Sequence, residues 1–153
     1  MSAKVTIRSA AVDDASALAN LRWEFRAGRD RAVESEQAFV ERCRDWMTRE
    51  LTGSAWRAWV AIENDRIVGQ VWLQQIQKLP NPIGERERHG YLSNLYVQPA
   101  ARGSVGTALL EAALAWARAN GIDRVVLWPS ARSVTLYSRH GFARNAEVME
   151  LTC

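Results

Sequence analysis

The chain has 153 residues, of which 48% are hydrophobic and 24% are charged, and its formal net charge is +3. These values fit one globular domain and exclude intrinsic disorder, and no apolar run approaches the ~18 residues that a membrane-spanning helix needs. The first residues lack the apolar run of a signal peptide. We therefore expect one cytoplasmic domain over residues 1–153, with no membrane association.

Few residues are suited to metal or nucleic-acid binding. The cysteines Cys43 and Cys153 cannot form a disulfide framework, and with His89 and His140 they show no metal-ligand spacing, so we expect no metal. The 20 basic residues are spread along the chain without a long run of like charge. We expect no nucleic-acid partner, because a mild positive field also suits a small anionic ligand.

The N-terminal part predicts one strand and one helix. Apolar and polar residues alternate from Lys4 to Ser9, which is typical of a strand. Asp13 or Asp14 can cap the helix that follows, and Gly28 can end it.

A second helix and a hairpin come next. Ser35 can cap the helix, and Gly53 lies just beyond its predicted end. Alternating residues over 56–63 and 66–77 predict two strands, and Asn64-Asp65 between them predicts a tight turn.

The second half of the chain changes its hydrophobic period several times. It predicts a loop over 79–84, a strand over 90–97, a helix over 106–120, a strand over 124–128, a helix over 132–140 and a strand over 142–151. The complete order is β-α-α-β-β-β-α-β-α-β. This order predicts an α/β (α+β) domain with a mixed sheet rather than a strictly alternating doubly wound fold.

The junction after the strand at 90–97 is the most informative segment. A loop with Arg102, Gly103 and Gly106 leads into a helix, whose unpaired N–H groups and positive dipole end favour an anion such as phosphate. An ordinary strand–loop–helix connection explains the two glycines equally well. No nucleotide P-loop is present, because no Gly-Lys-Ser/Thr follows.

Three stretches of the chain carry a further signal: Asn94-Leu95-Tyr96-Val97-Gln98-Pro99, Arg102-Gly103-Ser104-Val105-Gly106-Thr107-Ala108-Leu109-Leu110 and Leu136-Tyr137-Ser138-Arg139-His140-Gly141-Phe142. Together they resemble the GNAT superfamily of acetyl-coenzyme A-dependent N-acetyltransferases. The resemblance covers essentially the whole chain and implies a mostly antiparallel central sheet flanked by helices. Two positions depart from the family pattern: the loop is one residue short, and Ser130 stands where asparagine is frequent.

The resemblance also implies roles for individual residues. The backbone N–H of Leu95 would bind the thioester carbonyl of acetyl-CoA, Val97 would pair with the pantetheine amide, and Tyr137 would be the general acid for the leaving thiolate. The alternative for Tyr137 is a core tyrosine. The implied cofactor-binding residues are Leu95, Tyr96, Val97, Arg102, Gly103, Ser104, Val105, Gly106, Thr107, Ala108, Ser130 and Tyr137.

The residues that would bind and deprotonate the acceptor amine are less clearly indicated. Tyr91 stands where some family members have a glutamate base, so Glu24 on the first helix is the candidate base, with a solvated surface charge as its alternative. Trp23 and Trp72 are candidate walls of an acceptor pocket, although core packing is the default for tryptophan. Asn94 is a candidate for binding the acceptor or a water molecule.

The sequence thus predicts an N-acetyltransferase that transfers an acetyl group from acetyl-CoA to a primary amine of a small molecule or peptide by direct attack in a ternary complex. The shortened loop and the missing base keep one alternative open, a non-catalytic GNAT-like module that binds CoA or serves in assembly. Homodimers are common in the family, so a homodimer is a further expectation by analogy.

Overall fold

The computed structural model describes residues 4–153, and its elements follow the predicted order up to the last helix. They are β1 (Thr6–Ser9), α1 (Ala15–Ala27), α2 (Glu36–Thr52), β2 (Trp56–Glu63), β3 (Arg66–Gln77), β4 (Arg88–Val97), α3 (Val105–Ala119), β5 (Arg124–Val126) and α4 (Val134–Arg139), with 3-10 turns at Val12–Asp14 and Pro99–Ala101. The strands form one sheet in the order β1-β2-β3-β4-β5. The first three pairings are antiparallel and the β4–β5 pairing is parallel, which confirms the predicted mixed sheet.

Local sequence signals set several boundaries. The Oγ of Ser35 accepts a hydrogen bond from the N–H of Ala38 at 3.2 Å, so the predicted cap of α2 is present. Asn64 and Asp65 adopt φ angles of 49° and 61° and connect β2 to β3 in a two-residue hairpin. Asparagine and aspartate tolerate this left-handed conformation better than most residues, which explains the turn.

Asp14 joins the first strand to the first helix. Its carboxylate accepts two hydrogen bonds from Arg8, at 2.7 and 2.9 Å, and a third from the N–H of Ala11 at 2.7 Å. The bonds from Arg8 hold the pKa of Asp14 below its usual range. This link therefore contributes stability above the pKa of an unfolded aspartate, and the contribution is lost as the pH falls toward the lowered value.

The two faces of the sheet carry different helices because side chains alternate along each strand. On one face, Val71 and Leu73 pack with Leu109 and Leu110 of α3. On the other face, α1 and α2 pack against Ala58, Val60 and Trp72. No helix of the described residues is both long and apolar enough to cross a membrane.

The predicted last strand over 142–151 is wrong. No strand follows α4 in the described chain, and Met149 in this segment is 95% exposed. Two physical reasons explain the difference. The side chain of Asn145 accepts a hydrogen bond from the N–H of Glu147 at 2.9 Å, which favours a turn, and β5, only three residues long, offers little edge for pairing.

A buried glutamine bridges the sheet and α1, and it leads to a stability prediction. Gln70 is 0% exposed, accepts a hydrogen bond from the indole N–H of Trp72 at 2.8 Å and donates one to the carbonyl of Leu18 at 3.0 Å. Gln70→Leu removes the acceptor and leaves the buried indole N–H unpaired. We expect a loss of about 1–3 kcal/mol in the free energy of unfolding, measured by urea denaturation.

The matched control lies at the end of the same strand. Gln77 is exposed, so Gln77→Leu is expected to change the free energy of unfolding by less than about 0.5 kcal/mol. Equal unfolding midpoints for the two variants would contradict the bridging role of Gln70.

Candidate active site

Strand β4 and the edge strand β5 separate part way along the sheet. Their last paired residues are Tyr91 and Val126, while β4 continues to Val97. Among residues 4–153, the edge of β4 that faced β5 has no strand partner beyond Tyr91. Apart from the carbonyl of Val97, which accepts a hydrogen bond from Arg102, its backbone groups are therefore available to a ligand. A cavity of about 560 Å³, called here the large cavity, lies in this opening.

A bulge in β4 lies at the centre of the opening. Gln70 pairs with Tyr96 and Trp72 pairs with Ser93, so β4 has one residue more than β3 over this stretch. Asn94 takes up this extra length with a φ of 58°, and neither Asn94 nor Leu95 has a partner in the β3 register. The bulge turns the backbone at Leu95 away from the regular ladder.

The large cavity reaches the start of α3. Gly103 and Gly106 line it, and Gly103 has a φ of 125°, a conformation that side-chain-bearing residues rarely adopt. The helix begins at Val105, so its first N–H groups have no partner within the helix. These groups and the positive end of the helix dipole make this end of the cavity suitable for a phosphate group.

The charge of the lining agrees with an anionic ligand. Its charged residues are all arginines: Arg22, Arg26, Arg29, Arg102 and Arg132. Two of them, Arg22 and Arg26, lie on α1, and Arg29 lies in the turn just beyond its end. Among the described residues no aspartate or glutamate lines this cavity, so its walls favour an anionic ligand.

Tyr137 lies on α4 and lines the large cavity. Its ring packs edge-on against Phe142 at a centroid distance of 5.6 Å. Burial raises the pKa of the phenol above its usual value, so it is protonated at neutral pH. Among residues 4–153 no side chain accepts a hydrogen bond from its hydroxyl, which leaves this donor available to a ligand.

Most of the predicted cofactor residues meet at this cavity, and some do not. Those that line it are Leu95, Tyr96, Val97, Arg102, Gly103, Gly106, Ser130 and Tyr137. Ser104 lies at the cap position of α3, and Val105 is buried in the core. Thr107 and Ala108 lie in the first turn of α3 outside the lining, where Ala108 donates its N–H to the carbonyl of Ser104 at 3.0 Å.

Of the residues predicted to bind the acceptor, some line a cavity and others do not. A second cavity of about 320 Å³, called here the small cavity, is lined by Trp72 and by Asn94, which also lines the large one. Trp23 lines neither cavity and packs against Phe39 at 5.7 Å. Glu24 also lies outside both linings, where its carboxylate accepts hydrogen bonds from the side chain of Gln98 at 3.1 and 3.2 Å.

The sequence did not identify several of the residues that line the two cavities. Arg22 and Arg26 are four residues apart, which places them on one side of α1, and Arg29 lies in the turn just beyond the helix. The spacing of the first two was the available signal. Trp46 and Trp56 line the small cavity although both fit the apolar pattern of the core. No local signal separates such residues from core tryptophans.

Among residues 4–153, no group of three or more His, Cys, Asp or Glu side chains is placed so that it could hold a metal ion. The positive lining and the available N–H groups instead fit an anionic ligand with phosphate groups.

Comparison with known proteins agrees with this geometry. The model of the "Acetyltransferase (GNAT) family" matches residues 16–142. No curated protein matches the chain.

Solved structures resemble the whole chain. A GCN5-related N-acetyltransferase from Ralstonia eutropha JMP134 is 26% identical with a TM-score of 0.79, covering 97% of this chain and 99% of its own. A predicted acetyltransferase from Clostridium acetobutylicum, solved with acetyl-CoA, is 23% identical with a TM-score of 0.78, covering 97% and 96%. Glucosamine-6-phosphate N-acetyltransferase from Arabidopsis thaliana is 16% identical with a TM-score of 0.70, covering 97% and 98%. Because the family model spans most of the sequence and the fold agrees over its full length, the chain belongs to the GNAT acetyltransferase family, whose members bind acetyl-CoA.

Proposed function

We propose that this protein transfers an acetyl group from acetyl-CoA to a primary amine, by direct attack of the amine in a ternary complex. The observation that carries the proposal is the separation of β4 from β5, which opens the sheet onto the N-terminus of α3. One continuous cavity thereby offers free strand backbone, unpaired helix N–H groups and an unbonded phenol. These groups are the ones that a thioester with a phosphate-containing carrier requires.

Different residues along the large cavity bind different parts of acetyl-CoA. Gly103, Gly106 and Arg102 hold the pyrophosphate of acetyl-CoA, and the free edge of β4 at Val97 pairs with the pantetheine arm. Arg102 is itself oriented, because its Nε donates a hydrogen bond to the carbonyl of Val97 at 3.2 Å. The backbone N–H of Leu95, freed by the bulge, faces the thioester carbonyl and stabilises the negative charge that develops on its oxygen.

Acetyl-CoA supplies an acyl group activated as a thioester. The amine nitrogen forms the new bond to the acyl carbon, and the carbon–sulfur bond breaks. Tyr137 donates its phenolic proton to the leaving sulfur, and the proton lost by the amine returns to the phenolate or to water. A phenol suits this role, because the pKa of an unperturbed tyrosine, ~10, is close to that of a thiol.

The acceptor amine must be unprotonated to attack the acyl carbon. Among the described residues, no aspartate, glutamate or histidine lines either cavity, so neither a carboxylate nor an imidazole there can act as the base. The arginines of the lining offer another route, because a positive surrounding lowers the pKa of an ammonium group and increases the fraction of free amine. Water in the open cavity then carries the proton away.

This account predicts how the rate depends on pH. We expect kcat/KM to rise with pH until the pKa of the free amine is passed, and two acceptors with different amine pKa values are expected to give correspondingly displaced curves. The measurement is kcat/KM for such a pair of acceptors at saturating acetyl-CoA. A common inflection for both acceptors would reveal a base on the protein and contradict the account.

The experiment that tests the proposed function has two stages. Calorimetric titration with acetyl-CoA measures cofactor binding, and release of free CoA thiol is then followed over a panel of primary amines. We expect binding, and thiol release that depends on the added amine. Failure of acetyl-CoA to bind at millimolar concentration would contradict the proposal, and binding without turnover on any amine would favour the non-catalytic CoA-binding module instead.

A further inference from the structure

The small cavity has aromatic walls. The rings of Trp46, Trp56 and Trp72 line it, and their centroids are 5.5 to 6.1 Å apart. The indole of Trp72 is fixed by its hydrogen bond to Gln70 at 2.8 Å, so this wall is rigid. Flat and rigid apolar walls are suited to the ring of an aromatic ligand.

Arg22 is a half-buried cation at the inner end of this cavity. No aspartate or glutamate of residues 4–153 lies within ion-pair distance of it, and its side-chain hydrogen bond goes to Oδ1 of Asn94 at 3.1 Å. Burial and the nearby charge of Arg26 lower its pKa. A partly desolvated charge without a counterion is unfavourable, so an anionic ligand group would stabilise it.

The second arginine of the cavity differs from Arg22. Arg42 is ion-paired with Glu34 and is largely exposed at the rim. Its charge is therefore already balanced, which leaves Arg22 as the cation available to a ligand. No carboxylate lines the cavity, so nothing there would compensate the charges of a polycationic amine.

The two cavities meet where acetyl transfer would occur. Arg22, Ser93 and Asn94 line both cavities, and Asn94 directly precedes Leu95 at the bulge of β4. A ligand whose anion binds Arg22 can therefore present an amine to the bulge only if the amine and the anion are close together in the molecule. The amine and carboxylate of an α-amino acid, attached to one carbon, satisfy this requirement.

We propose that the acceptor is an aromatic amino acid, with its ring against the cluster of three tryptophans and its carboxylate on Arg22. This inference rests on the proposed acetyl transfer and names the substrate class of the same site. The reaction is the one balanced above, with the α-amine as the nucleophile.

The first test compares acceptors at saturating acetyl-CoA. Tryptophan and phenylalanine are set against tryptamine and phenethylamine, which keep the ring and the amine but lack the carboxylate. Because a hydrogen-bonded ion pair is lost in the amines, we expect their kcat/KM to be roughly 10- to 100-fold lower. Leucine, kanamycin and a peptide with N-terminal tryptophan complete the panel, and all three are expected to be poorer acceptors than tryptophan.

The second test uses variants and a direct binding measurement. Arg22→Met is expected to remove the preference for tryptophan over tryptamine through KM, and Arg22→Lys is expected to retain part of it. Arg42→Met is the matched control, because its charge is already paired, and it should reduce the preference much less. Calorimetric titration of the CoA-loaded protein with tryptophan reports binding without turnover, and Arg22→Met should abolish it.

The outcomes separate this inference from the proposed function. Efficient acetylation of tryptamine, kanamycin or the peptide, with tryptophan no better, would overturn the inference and leave acetyl transfer standing. If no amine is acetylated, the titration still decides the inference. Tryptophan binding that depends on Arg22 would support the site, and no binding to the CoA-loaded protein would overturn it.

Discussion

Tyr137→Phe is expected to lower kcat by about 10²- to 10⁴-fold, the range over which general acid catalysis typically contributes. The substitution removes the phenolic proton donor and keeps the ring, which packs against Phe142 at 5.6 Å. The fold and the affinity for acetyl-CoA should therefore change little. The measurements are steady-state kinetics, calorimetric titration with acetyl-CoA and thermal unfolding.

A second tyrosine of the large cavity provides the control. Tyr91 lines the cavity, and its hydroxyl donates a hydrogen bond to Ser93 at 3.4 Å. Tyr91→Phe removes a phenol from the same wall, and we expect a much smaller fall in kcat than for Tyr137→Phe. If kcat of Tyr137→Phe equals that of the unaltered protein, Tyr137 is a packing residue and the acid must be another group.

Gly103→Val is expected to weaken acetyl-CoA binding by about 5- to 150-fold. A Cβ atom at this position meets no atom within 4 Å, so the effect does not come from a clash of the Cβ. It comes from the φ of 125°, which valine adopts only at a cost of about 1–3 kcal/mol. The loop relaxes in the variant and must return to its strained form to bind the pyrophosphate, so the cost appears in the dissociation constant.

The control for this variant is another loop glycine. Gly84 also has open space around it, lacks a positive φ and lies outside both cavities. Gly84→Val is therefore expected to leave the affinity for acetyl-CoA unchanged, as measured by the same titration. Equal affinity of the Gly103→Val variant would mean that the backbone at this position does not shape the phosphate site.

The sequence predicted the elements whose causes are local. The cap at Ser35 and the turn at Asn64-Asp65 depend on residues within one turn of the chain, and both are present. The prediction of the last strand rests on a strand-like local sequence, and a local sequence does not supply the edge on which a strand must pair. Pairing is a long-range property, which explains why the prediction over 142–151 is wrong.

The candidate site shows the same difference between residues that local motifs identify and residues that only long-range contacts bring together. The residues of the glycine loop and Tyr137 follow one another in short motifs, so most of them could be named in advance. Arg22 lies 72 residues before Asn94, and their contact at 3.1 Å exists only because α1 crosses the bulge of β4. Trp23 and Glu24 follow Arg22 on the same helix, but successive helix residues point in different directions, so the side chains of the three occupy different surroundings.

The most direct measurement follows an isotopically labelled acetyl group. The protein is incubated with acetyl-CoA deuterated in its acetyl group and with a primary amine, and the products are identified by mass spectrometry. The account predicts a labelled N-acetyl product that forms in proportion to free CoA and slows strongly in the Tyr137→Phe variant. Label that remains on CoA, or that appears only as free acetate, would contradict acetyl transfer to an amine.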